Sequence, residues 1–290
     1  MSTPLFRVFT LKTLGIDPVC FLAELAPSFR ALAWDPYDVR REQAQRLLRA
    51  FPDETFRLQQ FLVDYWTGQA SLAAVEDLLA RLVPEERQAL EAVAPYRRRA
   101  MARFRLERDA DRWHPERLPT DTRFVQGKLD TGDLRALPRV FAPMTELVAG
   151  HPLFLRLLEG VAGLVQQIRP EVHSLSITAH QMSVLCHAGQ PASNSPEGIH
   201  QDGADYIVSA LVVERQGVVG GVSRVFGPDR ESVLLAHTLQ PGEGLFQADA
   251  GSPLWHDVTP IRHTGEGEGV RSLIGLDIRL CELCEKSPLP

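Results

Sequence analysis

The pattern of apolar residues changes near the middle of the chain, and this change limits the folds open to it. From about Asp35 to about Glu107, apolar residues recur at spacings of three and four among many Arg, Glu and Ala, which is typical of amphipathic helices. From His173 onward, seven short segments rich in Val, Ile and Leu are separated by Gly, Pro, Asn and Asp. These segments are typical of strands joined by turns. The second half of the chain is therefore predicted to be a closed or double-sheet β structure, such as a jelly roll.

The rest of the chain is predicted from the same spacing. Residues 5–11 form one early strand, residues 109–142 a mixed connector, and residues 142–168 one or two further helices. The run of arginines at 97–99 lies within the predicted helices and is interpreted as a solvated helix face. The predicted fold class is α+β. A mainly helical region, residues 1–120, packs on a jelly-roll core, residues 121–290.

Charge and composition exclude several classes of function. Of 290 residues, 31 are Lys or Arg and 37 are Asp or Glu, so the formal net charge is −6. An acidic chain of this kind is a poor partner for nucleic acid, which requires a basic face. The most apolar long segment, residues 147–165, is interrupted by His151, Arg156 and Glu159, so we expect no membrane span. Four cysteines and no apparent signal peptide favour a cytoplasmic protein.

Candidate metal ligands stand at the start of one predicted strand. In "PEGIHQDGADYIV", residues 196–208, His200 and Asp202 are two positions apart, so a strand would direct both side chains to one face. An imidazole nitrogen and a carboxylate oxygen suit a divalent first-row metal. Such a pair also occurs by chance in ordinary loops. The pair alone is therefore weak evidence.

A facial site of two histidines and one carboxylate needs a second histidine from a distant strand. Three downstream histidines are candidates. His237 lies within an apolar strand, where a structural role is the simpler interpretation, and His263 lies in a Gly- and Glu-rich loop. His256 follows a turn and begins a strand, where a rigid ligand is expected. His256 is the preferred third ligand.

Four ordered segments of the sequence resemble a known family. The ordered segments "PEGIHQDG", "VVGGVSRVF", "LFQADAGSPLWHDVTPI" and "VRSLIGLDIR" resemble bacterial iron(II)/2-oxoglutarate dioxygenases that hydroxylate free amino acids, typified by L-isoleucine 4-hydroxylase. The resemblance covers roughly residues 170–280, and more loosely residues 123–144. One departure is Val222 in the Gly-Gly-x-Ser segment, where an acidic residue is expected.

The resemblance implies a fold, cofactors and site residues. The fold would be a double-stranded β-helix, with His200, Asp202 and His256 as iron ligands. Arg271 would bind the distal carboxylate of 2-oxoglutarate, a role for which a bidentate guanidinium is well suited. The less favoured alternative for Arg271 is a surface ion pair with a nearby glutamate, and Arg262 and Arg279 are weaker candidates for its role.

The predicted activity is hydroxylation of a C–H bond in a small free amino acid or close derivative, using Fe(II), 2-oxoglutarate and O2. Two other classes of function stay open: a cupin-like protein that binds a ligand without turnover, and a metal-dependent hydrolase. Only the hydroxylase requires both a complete ligand set and the arginine. A homodimer is a further expectation. Six side chains are candidate substrate contacts, each with an ordinary structural alternative: Arg123, Gln181, Ser183, Asp205, Tyr206 and Trp255.

Overall fold

The computed structural model describes residues 5–110, 112–119, 123–125, 137–265 and 267–281. The α-helices of the described residues are α1 (Pro18–Leu25), α2 (Pro36–Ala50), α3 (Thr55–Thr67), α4 (Glu76–Leu79), α5 (Pro84–Glu91), α6 (Glu146–Ala149) and α7 (Pro152–Ile168). Short 3-10 helices span Leu11–Leu14, Ala26–Ala31, Pro52–Glu54 and Leu72–Val75. The strands are β1 (Phe6–Thr10), β2 (Arg97–Asp109), β3 (Arg112–Arg117), β4 (Arg123–Phe124), β5 (Arg139–Val140), β6 (Ala142–Pro143), β7 (Ser174–Cys186), β8 (Tyr206–Gln216), β9 (Val218–Gly220), β10 (Ser223–Phe226), β11 (Val233–His237), β12 (Glu243–Ala248), β13 (Trp255–Val258), β14 (Ile261–His263) and β15 (Gly269–Leu280).

Eight strands form one large sheet. Seven of them run in the order β1-β12-β8-β15-β7-β2-β3, and β6 pairs with β2 beside that path. The ladders along the path are antiparallel, whereas β6 runs parallel to β2. A three-stranded sheet has the order β11-β10-β13, and two smaller pairs are β14-β9 and β4-β5. The predicted mixed fold with a jelly-roll-type core is confirmed, and each of the seven strands predicted after residue 173 is present.

The two faces of the large sheet bury different cores. On one face, Ile274 and Leu276 of β15 join an apolar cluster that includes residues of α1 and α7. On the other face, Leu273 of β15 packs with Val225 of β10, so the three-stranded sheet covers that face. Side chains alternate across a strand, and the odd-numbered residues of β15 therefore point between the two sheets. This inner face is where a site can form.

One predicted element is wrong. Residues 97–109 form the strand β2 and not the end of a helix. Along its second half, Phe104 and Leu106 are buried while Arg105 and Glu107 are exposed, which is the alternation of a strand. The first half is covered on both faces, so its apolar residues are consecutive and mimic helical spacing. Arg97 and Arg99 are buried, so they are not part of a solvated helix face.

The first 120 residues contribute to both layers of the fold. Helices α2 to α5 enclose an apolar cluster of their own. However, β1, β2 and β3 also precede residue 120, and all three belong to the eight-stranded sheet. The predicted connector, residues 109–142, contains strands β3 to β5 among its described residues. The boundary at residue 120 and the homodimer stay predictions.

Among the described residues, no helix combines the length and the apolar character that crossing a bilayer demands.

Candidate metal centre

The structure brings His200, Asp202 and His256 together. One ligand atom from each lies within 4.8 Å of the others. Nε2 of His256 is 3.3 Å from one carboxylate oxygen of Asp202, and Nε2 of His200 is 3.5 Å from the other. The two histidines are 8% and 4% exposed. Two imidazoles and one carboxylate are the donor set of a facial site for a first-row metal. We call these three residues the metal cluster.

Backbone pairing fixes the two histidines against each other. The amide of His200 donates to the carbonyl of His256 at 2.9 Å, and the amide of His256 donates back at 3.0 Å. Gly198 adopts a φ of +82°, a conformation that favours glycine. The carbonyl of Gly198 lies 2.8 Å from Nδ1 of His200 and accepts a hydrogen bond from the proton on that nitrogen. The same arrangement leaves Nε2 of His200 available to a metal.

Asp249, which sequence reasoning missed, anchors the loop that carries Asp202. Its carboxylate is fully buried and accepts hydrogen bonds from the backbone amides of Asp202, Gly203 and Ala204 at 2.7–3.1 Å. Burial and the charge of Asp202 raise the pKa of Asp249 to about 6. Gln201 holds the same loop by donating to three carbonyls of residues 249–254. The turn before His256 is thereby tied to the loop that follows His200.

Gln247 also contacts the metal cluster. Its amide nitrogen is 3.3 Å from Nδ1 of His256, and its buried amide oxygen has no partner among the described residues. A histidine that binds metal through Nε2 carries its proton on Nδ1. Rotation of the Gln247 amide would then place an oxygen acceptor against that proton. Both histidines can therefore present Nε2 to the same point.

Charges around the metal cluster are strongly coupled. Burial lowers the pKa of His200, but the hydrogen bond and charge of Asp202 and the charge of Glu197 raise it overall, to about 9. Burial raises the pKa of Asp202, and the two histidines reverse this, so its pKa lies well below the usual range. Glu197 lies 3.2 Å from Nε2 of His200 and pairs with Arg41 of α2 at 3.4 Å. The helical region thus reaches the edge of the site.

The metal cluster opens onto a cavity of about 400 Å³. Its walls come from β2, β7, β13 and β15, from the loop before His200, and from helix α2. Helix α2 is joined to the wall through Asp35, whose amide donates to the carbonyl of Arg97 at 2.8 Å. The helical first part of the chain therefore closes one side of this cavity.

Arg271 is fully buried, with 0% of its surface exposed. Its Nη1 donates to the side-chain oxygen of Asn194 at 3.1 Å, whereas Nε and Nη2 have no partner among the described residues. Burial and the nearby Arg215 lower its pKa to about 9. Gly221 has a φ of +64°, and a Cβ there would lie 3.1 Å from Cδ of Arg271. Arg271 does not line the cavity itself, but Asn194 does.

Two predicted substrate contacts on β7 point away from the cavity. Gln181 donates to Ser28 at 2.6 Å, and Ser183 shares a hydrogen bond with a serine of β15 at 2.8 Å. The cavity is instead lined by His180 and Met182, which lie on the opposite face of the same strand. The predicted strand is present, and Gln181 and Ser183 lie on the face of it that is turned away from this cavity.

The other four predicted contacts also lie outside the cavity. Asp205 is exposed and accepts the amide of residue 280 at 2.7 Å, a structural role. Tyr206 is buried in the core formed with α7. Trp255 lies beneath an arginine guanidinium, 3.5 Å from its ring centre. Arg123 is exposed on β4, whereas its neighbour Phe124 lines the cavity.

Four arginines that sequence reasoning did not assign to a site line the cavity: Arg41 of α2, which pairs with Glu197, and three more. Arg97 and Arg99 come from β2, and Arg139 comes from β5. We call them the arginine cluster. Their sequence signal is the two-residue spacing of Arg97 and Arg99, which places both on one face of a strand. That signal was lost because the segment was assigned to a helix.

Comparison with known proteins gives the family. The model of the 2OG-Fe dioxygenase family matches residues 81–277, more than half of the chain. A bsmA homolog from Methylobium petroleophilum PM1 superposes with a TM-score of 0.63 and 20% identity, covering 95% of this chain and 88% of that chain. IDO from Bacillus thuringiensis has a TM-score of 0.53 and 18% identity, covering 64% of this chain and 79% of that chain. At these identities both similarities show the fold alone. No curated protein matches the chain significantly.

The residues present fit the groups that this family uses. Two imidazoles and a carboxylate are a suitable donor set for iron(II). A buried guanidinium with two unpartnered nitrogens suits the carboxylate of 2-oxoglutarate. The chain belongs to the 2OG-Fe dioxygenase family and is an oxidoreductase that uses iron(II), 2-oxoglutarate and O2.

Proposed function

We propose that this enzyme hydroxylates a C–H bond of a small free amino acid or a close derivative, while 2-oxoglutarate is converted to succinate and CO2. The observation that carries the proposal is the metal cluster, whose side chains converge at the wall of a cavity. The cavity volume, about 400 Å³, lies near the lower end of the range for small-molecule sites. Such a volume favours a small substrate over a polymer.

His200, Asp202 and His256 are the proposed iron ligands. When bound, iron(II) together with 2-oxoglutarate and O2 supplies the oxidising power for an unactivated C–H bond. The protein holds the ligands in place: the carbonyl of Gly198 orients His200, and Gln247 contacts His256. Asp249 fixes the backbone of Asp202 through three amides. These contacts would hold the three donor atoms in fixed directions toward a shared metal ion.

Arg271 is the proposed partner of the distal carboxylate of 2-oxoglutarate. A buried guanidinium is costly unless an anion accepts its hydrogen bonds, and two nitrogens of Arg271 have no such acceptor in the part of the chain that the structure describes. Asn194 contacts Nη1 and lines the cavity, so it connects the guanidinium to the space beside the metal cluster. Arg215, a neighbour in register on β8, adds positive charge that favours an anion.

The proposal is tested by anaerobic reconstitution with Fe(II), followed by exposure to O2 and measurement of succinate across a panel of free amino acids. A hydroxylase of this class should form succinate fastest with one chemical group of amino acids, together with a product heavier by one oxygen atom. Iron bound at one equivalent without succinate above the uncoupled background would favour a binding protein without turnover. Succinate that no amino acid stimulates would contradict the proposed substrate class.

A further inference from the structure

Within the arginine cluster, the guanidinium of Arg99 has no ion pair among the described residues. Arg97 and Arg99 are two positions apart on β2 and both line the cavity. Arg97 is satisfied, because its Nε donates to buried Asp35 at 3.0 Å. Arg99 has no carboxylate partner among the described residues, although it is only 9% exposed. Its buried Nε has no hydrogen-bond acceptor in that part of the chain.

Among the described residues, the guanidinium of Arg99 makes one hydrogen bond, and its partner is a neutral group. Its Nη2 lies 3.0 Å from Nδ1 of His180, so Nδ1 must accept and cannot carry a proton. Nε2 of His180 then carries the proton and donates to Asp277 at 3.3 Å. Burial and the charge of Arg99 lower the pKa of His180, which agrees with the neutral ring. The imidazole therefore lies between the guanidinium of Arg99 and the carboxylate of Asp277.

The surroundings of Arg99 add positive charge and exclude water. The guanidinium carbon of Arg99 lies 4.2 Å from the ring centre of Phe141, and that of Arg139 lies 5.6 Å from the same ring. Both guanidiniums also approach Phe124, at 5.7 and 5.0 Å. Burial and the charge of Arg139 lower the pKa of Arg99 to about 9, so it stays protonated at neutral pH. A protonated, buried guanidinium in an apolar wall favours an anionic ligand.

Building on the proposed function, we propose that Arg99 binds a carboxylate of the substrate, so that the substrates of this enzyme carry an anionic group. His180 and Asp277 act as positioning residues, because they orient the guanidinium from the cavity wall. The two rings hold its plane, which is the arrangement that favours bidentate binding of a carboxylate.

The Arg99 site is distinct from the site proposed for the cosubstrate. In the large sheet, Arg271 lies opposite Val184, which lies opposite Arg97. Arg99 is therefore two strands and two residues away from Arg271. Strand spacings of about 4.8 Å and residue steps of about 3.3 Å give roughly 12 Å between their Cα atoms. Each guanidinium thus has its own carboxylate to bind.

The test uses the enzyme loaded with Fe(II) and saturating 2-oxoglutarate without oxygen, so that the cosubstrate site is already filled. Aliphatic and sulfur-containing L-amino acids, together with simple carboxylates such as butyrate, are titrated by calorimetry, each beside its own carboxamide. We expect at least one acid to bind about 30-fold or more tightly than its amide, the range for a buried charge pair. In Arg99→Gln the acid should bind within a few-fold of the amide.

Arg98→Gln is the matched control. Arg98 lies on the same strand, but it contacts the ring of Trp34 and the carbonyl of Arg30 and does not line the cavity. This variant should keep the full preference for the acid. Arg99→Lys, which retains the charge in a side chain of similar length, should keep part of the preference, and it replaces Arg99→Gln if that variant does not fold.

The outcomes separate this inference from the proposed function. Equal binding of acids and amides to the wild type, or no binding of any acid, would overturn the inference. It would also be overturned by a preference that survives in Arg99→Gln, or by a raised KM for 2-oxoglutarate in that variant, measured from uncoupled succinate formation. Tight binding of acids without succinate formation would contradict the hydroxylase proposal and leave the inference about Arg99 intact. Turnover of amides as fast as acids would contradict the inference about Arg99 and leave the hydroxylase proposal intact.

Discussion

The metal cluster and the arginine cluster line one cavity, but their charges are balanced in opposite ways. In the metal cluster, the carboxylate of Asp202 lies within 3.5 Å of both imidazoles, and its loop is held by backbone hydrogen bonds. In the arginine cluster, Arg97 has the carboxylate of Asp35 at 3.0 Å, while the guanidinium of Arg99 hydrogen-bonds, among the described residues, to a neutral imidazole and to no carboxylate. The metal cluster can receive a cation, and Arg99 still requires an anion.

This difference bears on how the two clusters work together. A metal site must be preorganised before the ion arrives, because the ligands need fixed directions to select geometry. A buried guanidinium such as Arg99 or Arg271 is satisfied only when its ligand is present, so each gains binding energy at the moment of association. In the proposed function, a rigid metal cluster is combined with two guanidiniums that each await a carboxylate: Arg99 in the cavity wall, and Arg271 behind Asn194.

The largest expected effect is loss of a metal ligand. Replacing His256, His200 or Asp202 by Ala removes one of three protein donors from the site. Changes to residues that merely support metal ligands typically cost 10- to 100-fold, so loss of a ligand should lower Fe(II) affinity by more than about 100-fold. Turnover should fall to background. Equilibrium dialysis with iron quantification measures the first effect, and succinate formation measures the second.

His263→Ala is the control for the metal ligands. His263 lies on β14 and is absent from both the metal cluster and the cavity wall. Iron binding and turnover should be unchanged in this variant. A His256→Ala enzyme that binds iron as tightly as the wild type would refute the proposed ligand set.

The next effect concerns Arg271, whose proposed ligand differs from that of Arg99. Arg271→Gln should raise the KM for 2-oxoglutarate by about 30-fold or more, because a buried charge pair is lost. Arg279→Gln, at the exposed end of the same strand, should leave the KM unchanged. Steady-state succinate formation at varied 2-oxoglutarate distinguishes them. An unchanged KM in Arg271→Gln, with a raised KM in Arg99→Gln, would exchange the roles of the two arginines.

The contrast between the clusters also explains what the sequence could predict. His200, Asp202 and His256 stand beside turns at strand ends, where residue type and short spacing already indicate metal chemistry. Arg97 and Arg99 lie in a strand covered on both faces, and its consecutive apolar residues resemble a helix. No local pattern reveals that such a segment joins a sheet whose other strands lie up to 180 residues away.

Strand faces were harder to predict than strands. Gln181 and Ser183 were predicted on the correct strand, but His180 and Met182 line the cavity. A shift of one residue exchanges the two faces of a strand, and both faces of β7 are buried, so hydrophobicity cannot distinguish them. Only the pairing of β7 with β2 and β15 decides which face meets the cavity.

A smaller effect, on the free energy of unfolding, is expected for Asp38 in the helical wall beside the arginine cluster. Asp38 of α2 accepts the amides of Val39 and Tyr96, and burial raises its pKa from 3.8 to about 6, although Arg97 opposes the rise. Between these two values the folded state holds a proton that the unfolded state has lost. Stability contributed by the protonated form is therefore lost as the pH rises through this window.

The corresponding experiment compares the wild type with Asp38→Asn, which has no carboxyl to titrate. From pH 4 to pH 7, the free energy of unfolding of the wild type should fall by about 2 kcal/mol relative to the variant, because each pKa unit is worth about 1.4 kcal/mol and the unfolded carboxyl is already more than half ionised at pH 4. Urea unfolding at both pH values measures this change. A constant difference across the window would contradict the raised pKa of Asp38.

The smallest effect is expected for Asp249, and it tests whether this residue fixes the directions of the ligands in the metal cluster. Asp249→Asn keeps the shape of the side chain but replaces one acceptor oxygen with an amide group, so it weakens the hold on the amides of Asp202, Gly203 and Ala204. The three ligands are retained, and the expected loss of Fe(II) affinity is about tenfold.

Asp229→Asn is the matched control, because Asp229 accepts the amides of two residues in a turn outside the cavity. If both variants bound iron equally well, the directions of the metal ligands would depend on the strand pairing of His200 with His256 and not on the buried carboxylate. The metal cluster would then owe its rigidity to the two backbone hydrogen bonds between these histidines.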